Sequence, residues 1–201
     1  SRDKKPSPQL AGDVLRSILT GTPYPATLLN GAELRIRAEQ TITRGRAAII
    51  RAYYRRHPHP QVPKEVLDMP ELNVACNNIP YTLGRMFSLY EQIQLAAAKA
   101  NSSNINATIK DRYFNAASSN PSQVFNLLGK LSVSHLRVLR RSDPKLAGFL
   151  QGQLEELSIR VGTSYPPHLD PASQGSFQLG YYYQNQARFQ KKAPADSTEN
   201  V

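Results

Sequence analysis

Arginines recur in this sequence at spacings that suit the capture of phosphates. Arg44, Arg51 and Arg55 are separated by 7 and then 4 residues, and Lys130, Arg137 and Arg141 repeat that spacing. On a helix such intervals place each trio along one stripe. Arg46 and Arg56 flank the first trio, Arg35 and Arg37 approach it from the preceding segment, and Arg140 lies beside the second. A guanidinium can grip phosphate oxygens with two parallel hydrogen bonds, so these stripes are candidate contacts to a nucleic-acid backbone. The plainer alternative is a solvated helix face. The scarcity of acids within the stripes favours phosphate.

Net charge points the same way. The 201 residues hold 25 Lys and Arg against 15 Asp and Glu, a formal +10. Residues 1–60 contribute 11 basic and 4 acidic groups, whereas residues 61–129 balance at 5 and 5. Such a distribution favours polyanionic partners and says little about fold.

Other chemistry is poorly represented. The passage "NATIKDRYFNAASSNPSQVF", from Asn106 to Phe125, sets Asp111 beside Arg112, but adjacent helical positions do not face each other. Arg112 is read as meeting a phosphate or another partner, and Asp111 as fixing a neighbouring basic group. No second carboxylate or histidine lies close enough to make a catalytic pair. His57 and His59 with Cys76 match no familiar zinc spacing, so no metal and no cofactor is expected. A glycine-rich phosphate loop and a Ser-His-Asp arrangement are both unreadable, and the chain is expected not to be an enzyme. His135 falls on an apolar seam and reads as a hydrogen-bonded core histidine. Of Tyr181, Tyr182 and Tyr183, one should anchor the core and at least one should be exposed for stacking.

The elements that carry these residues are helices. Leu10, Val14 and Ile18 begin the series; Leu28, Leu29, Leu34 and Ile36 follow; Ala47, Ile50 and Tyr54 mark a third helix over about residues 43–56. "HPHPQVPKEVLDMP" then interposes four prolines and reads as a linker. Beyond it, Leu83, Phe87, Tyr90, Ile93 and Ala97 predict a helix from Pro80 to about Asn101. Ile105, Ile109, Tyr113 and Ala116 predict the next, Val124, Leu128, Leu131 and Val138 another, and Leu146, Leu150, Leu154, Leu157 and Val161 one more up to Gly162. Asn120-Pro121, Asp143-Pro144 and Asp170-Pro171 are three like start signals. The expected fold is therefore all-α, a bundle of short antiparallel helices. A basic helical hairpin over 1–60 precedes a Pro-rich linker over 61–79, a helical bundle over 80–192 and a disordered tail over 193–201.

No apolar run approaches the roughly 20 residues of a membrane span, nothing at the start resembles a signal peptide, and one cysteine cannot form an internal bridge. A cytoplasmic setting without membrane contact is expected, in which the triplet Asn106-Ala107-Thr108 is not glycosylated. Opening at Ser1, the chain reads as a piece of a longer protein.

Five blocks carry a resemblance. "LRSILTGTPYPATLLNGAELRIRAEQ", "RGRAAIIRAYYRR", "LGRMFSLYEQIQ", "INATIKDRYFNAASSNPSQVF" and "GSFQLGYYYQNQARFQKK", in this order, resemble the C-terminal portion of the large subunit of the type I-C CRISPR surveillance complex, Cascade. The resemblance spans nearly all of residues 10–192 but only about the last third of such a subunit. It implies a nuclease-free helical domain in a CRISPR RNA-guided assembly, in contact with small subunits, backbone subunits, the displaced strand of target DNA and the helicase-nuclease. It also implies that the part after the linker doubles as a small subunit translated from an internal start, for which Met69 is the candidate.

Overall fold

The computed structural model describes residues 71–189 together with the isolated positions Ala48, Ile49, Val66, Asp68 and Met69. The helices expected before the linker, the basic hairpin they form and the tail over 193–201 lie outside the described residues. Within them the chain forms five helices and no strand: α1 (Ile79–Ala100), α2 (Ile109–Ser119), α3 (Pro121–Ser142), α4 (Pro144–Val161) and α5 (Pro171–Ala187). The all-α bundle is thus the observed architecture.

Local chemistry sets each helix start. Asn78 accepts a hydrogen bond from the Tyr81 amide, Asp143 from Leu146 and Asp170 from Ser173, each followed by a proline in the first turn. Such caps satisfy amides that have no partner within the helix, and the proline forfeits no bond there. Asn120 also precedes a proline, but its side chain makes no cap bond; its carbonyl accepts from Gln123 instead. Gly162 ends α4 at φ +86°, in the left-handed region where a side chain is unwelcome.

α1 and α5 form the centre and run antiparallel, for Tyr81 meets Tyr183 and Phe87 meets Phe177. Two glycines bring their backbones together. A Cβ on Gly84 would collide with the Phe177 carbonyl, and one on Gly180 with that of Tyr81. At this reciprocal crossing only hydrogen atoms separate the chains. Phe87, Phe114, Phe177 and Tyr181 then pack edge to face, with ring centroids 4.9–5.9 Å apart, the geometry aromatic quadrupoles prefer.

The remaining helices surround this pair, α2, α3 and α4 all touching α1. The passage from Asn106 to Phe125 resolves into α2, a joint and the start of α3. The loop after α4 straps that joint: Leu169 donates its amide to the Ser119 carbonyl, Ser122 donates to Pro166, and Tyr165 stacks against Phe125 at 5.1 Å. Before α1, Val66, Met69 and Cys76 belong to the same core. Tyr183 donates its hydroxyl to the Met69 carbonyl at 2.8 Å, while Tyr81 accepts the Asn73 amide at 3.1 Å.

Several details differ from the periodicity. Ile105 precedes α2, and Ala117 rather than Ala116 is buried, because the cap at Thr108 sets the register. On α3 the buried face is Val124, Phe125, Leu128, Ser132, Leu136 and Leu139, with Leu131 and Val138 only half-buried at its edges. Leu146, expected inside, is 36% exposed, and Ala147 takes the inner position. All three tyrosines of the triplet are at most 3% exposed, since α5 is covered from several sides and leaves none for stacking.

Replacing Gly84 or Gly180 by alanine is expected to destabilise the fold by at least ~2 kcal/mol, because neither backbone can retreat without opening the aromatic cluster. Chemical denaturation measures this; unchanged midpoints in both variants would refute the close crossing.

Candidate nucleic-acid interface

α3 carries the one complete basic stripe among the described residues. Its sequence, PSQVFNLLGKLSVSHLRVLRRS, contains no aspartate or glutamate. At 3.6 residues per turn, Lys130, Arg137 and Arg141 fall within an arc of about 40°, diametrically opposite the buried face. All three are exposed, and among the described residues none has an ion pair within 4 Å. Lys130 to Arg137 spans about 10 Å of helix and Arg137 to Arg141 about 6 Å, so the trio forms a linear array of cations. Arg141 also lies in the last turn, where a cation complements the helix dipole.

Arg140 is exposed but engaged elsewhere. Its guanidinium donates to the Gln151 Oε1 of α4, and Gln151 in turn donates to the Glu155 carboxylate at 2.7 Å. This polar chain rims a shallow groove of about 230 Å³ whose floor is Val133, Leu136 and Leu154. Arg112 projects into solvent from α2. Arg35, Arg37, Arg44, Arg46, Arg51, Arg55 and Arg56 lie outside the described residues, so the first stripe has no geometry here.

Asp111 serves the backbone rather than a basic neighbour. Its carboxylate accepts from the Thr108 amide at 2.8 Å while the Thr108 hydroxyl accepts from the Asp111 amide at 3.2 Å, a reciprocal box that starts α2. His135 is half-buried at the edge of the α3 inner face, not enclosed in the core. Among the described residues no three His, Cys, Asp or Glu side chains gather. Cys76 is buried, and His57 and His59 lie outside the described residues.

Two cations escaped the spacing argument because they face inward. Arg85 is 5% exposed and donates to Gln184 Oε1 at 3.0 Å and to the Val74 carbonyl at 3.3 Å. Burial, reinforced by nearby Arg160, lowers its pKa against the opposing pull of Tyr81. Arg160 donates to the same Val74 carbonyl and pairs with Glu156 at 2.6 Å. Lys110 sets its ammonium 5.0 Å from the ring centres of Tyr181 and Tyr182 and 5.5 Å from that of Phe114, a cation–π arrangement. The clue to Arg85 was its place in the file Tyr81, Arg85, Leu89, four residues apart, where a charge interrupts an apolar row. Burial also pushes the Tyr81 hydroxyl up to about 12 and raises those of Tyr90 and Tyr165, so these phenols stay protonated and none serves as a base near neutrality.

The described domain is all-helical, and along α3 it presents outward cations and no acids. Over residues 1–189 the sequence matches the family described as CRISPR-associated protein (Cas_Csd1), and the chain belongs to that family. No curated protein matches it. No described helix is long and apolar enough to cross a membrane.

The His135 environment has a measurable consequence. Burial lowers its pKa below the ordinary 6.5, so the unfolded chain binds the proton more readily than the folded one. Stability contributed by the neutral ring is complete above pH 6.5 and declines as pH falls from there through the folded value. Between pH 7 and pH 5 the melting temperature should fall further in the unsubstituted chain than in His135→Gln; equal declines would contradict this assignment.

Proposed function

We propose that this chain is the C-terminal region of the large subunit of a type I-C CRISPR surveillance complex, a non-catalytic scaffold that holds displaced target DNA and docks small subunits. Membership of the CRISPR-associated family supports the setting. The observation that carries the DNA reading is the α3 stripe, three exposed cations opposite the core on a helix without acids. Guide pairing supplies sequence choice in such assemblies, and exchange of one duplex for the other is nearly balanced. A row of fixed cations that holds the freed strand makes reannealing less favourable, and it needs no base contacts to do so.

The aromatic interior supports a role in backbone contact rather than stacking. All three tyrosines of α5 are enclosed, so α3 meets the strand through charge alone. Met69 as an internal start belongs to the same proposal. Its carbonyl is tied to Tyr183, but Val66 is fully buried just upstream, so a product beginning a few residues earlier would keep that packing. Mass spectrometry of the native complex should find a fragment that begins close to residue 69, and its absence would remove this element of the proposal.

Titration with single-stranded DNA at two salt concentrations tests the central reading. Each lost phosphate contact removes about 0.7 from the log–log salt slope. Replacing Lys130, Arg137 and Arg141 together by glutamine should therefore weaken binding and flatten the slope by about 2. The triple glutamate variant of Arg44, Arg51 and Arg55, in the complete complex, should separately lower R-loop stability. Unchanged DNA affinity after the α3 substitutions would assign that stripe to protein docking, including recruitment of the helicase-nuclease.

A further inference from the structure

The outward face of α3 holds more than its cations. Gln123, Asn126 and Ser134 are also exposed, and helical geometry sets each of them within about 40° of the centre of the Lys130, Arg137 and Arg141 stripe. Together they make one file, Gln123, Asn126, Lys130, Ser134, Arg137 and Arg141, at intervals of 3 or 4 residues and about 27 Å long. Every turn of it offers a side-chain donor, and the helix contains no acid. Asn126 gives one amide proton to the Ser122 carbonyl at 3.0 Å and keeps the other. Ser134 turns its hydroxyl back to the Leu131 carbonyl at 2.8 Å, a bond that a rotation of the hydroxyl releases.

The file has borders. On one side lie Leu127, 40% exposed, and the half-buried Leu131 and Val138. A phosphate laid over them would lose water and gain no donor. On the other side Val133 and Leu136 lead into the groove against α4, whose rim carries Glu155, and Arg140 there is tied to Gln151. A carboxylate in that position repels a phosphate. Asp143 closes the file beyond Arg141, its carboxylate held by the Leu146 amide. A polyanionic chain that crosses α3 therefore leaves the cations for apolar surface or an acid, and only the lengthwise direction continues to offer donors.

We infer that a nucleic-acid single strand lies lengthwise along α3, between Arg141 and Gln123, and that Gln123, Asn126 and Ser134 are phosphate-contacting residues that interleave with the cationic trio and extend it. This rests on the DNA reading given above and adds a path to it. Ser134 stands between Lys130 and Arg137, about 6 Å from one and about 4.5 Å from the other along the axis, and fills the wide gap in the trio. Gln123 and Asn126 carry the path about 10 Å beyond Lys130, where the helix has no charge. Neutral donors of these types are common phosphate partners that fix the register of a strand. Each such bond is charge-assisted by the phosphate, so the contact stays with the backbone and involves no stacking. The strand is gripped at the Arg141 end and guided at the Gln123 end.

Salt titrations of the 201-residue chain with an oligothymidylate of about 12 nucleotides test the path. Gln123→Lys sets a new cation on it and should steepen the log–log salt slope by about 0.7, whereas Phe149→Lys, exposed on the outer face of α4, should leave the slope unchanged. Changing Gln123 and Asn126 together to alanine should weaken binding about fivefold without altering the slope, because the lost contacts release no counterion. Circular dichroism verifies that the variants fold. The inference is overturned, with the DNA reading intact, if the slope flattens when Lys130, Arg137 and Arg141 become glutamine but ignores Gln123→Lys, or responds equally to Phe149→Lys; the strand then touches the cationic end alone. Unchanged affinity in the double alanine variant would overturn it as well. A slope that the triple glutamine substitution does not flatten would remove the DNA reading and this path together.

Discussion

The contact of Gly84 with the Phe177 carbonyl, and of Gly180 with that of Tyr81, determines most of what surrounds it. Because two helices approach at backbone distance, the aromatic rings on either side cannot lie between them and must fan outward into the spaces beside the crossing. Phe114 from α2 and Phe125 from α3 fill those spaces. The peripheral helices thus inherit their positions from a pair of missing side chains. Interiors packed at crystal-like density transmit such a constraint faithfully.

The enclosed triplet Tyr181, Tyr182 and Tyr183 follows from it. A helix exposed on one side would leave one of three consecutive residues in water, but α5 is bounded by α1, by α2 and by the segment at Val66 and Met69. Each phenol then needs an internal arrangement. Tyr181 donates a hydrogen bond to the Glu91 carboxylate at 2.5 Å and Tyr183 one to the Met69 carbonyl, while Tyr182 packs beneath the Lys110 ammonium. Polar groups buried in this way specify one packing among many, since each alternative would strand a donor or a charge. The outward trio Lys130, Arg137 and Arg141 on α3 needs no such partners, because water solvates exposed cations.

Much of this was legible in the sequence, and the reason is local. Asp143-Pro144 and Asp170-Pro171 announce helices by chemistry confined to four residues, and α4 ends at Gly162 because only glycine takes φ +86° without strain. Periodicity located the outward trio on α3, for a cation opposite an apolar row has one place to go. Long-range facts stayed hidden. Nothing in the neighbours of the triplet reveals that α2 will cover Tyr182 and the segment before α1 will hold Tyr183, and nothing near Asp111 distinguishes a capping carboxylate from an ion-pair partner except the threonine three residues earlier. Arg85 and Lys110 were missed because their partners stand 99 and 71 residues away, at Gln184 and Tyr181.

The Val74 carbonyl receives hydrogen bonds from both Arg85 on α1 and Arg160 on α4. One oxygen therefore ties the chain entering the bundle to two helices that are remote in sequence. Tension on the segment before α1 is therefore shared by Tyr183 at the Met69 carbonyl and by two guanidinium groups at the Val74 carbonyl, so fraying α1 from its leading end requires breaking contacts to α5, α1 and α4 together.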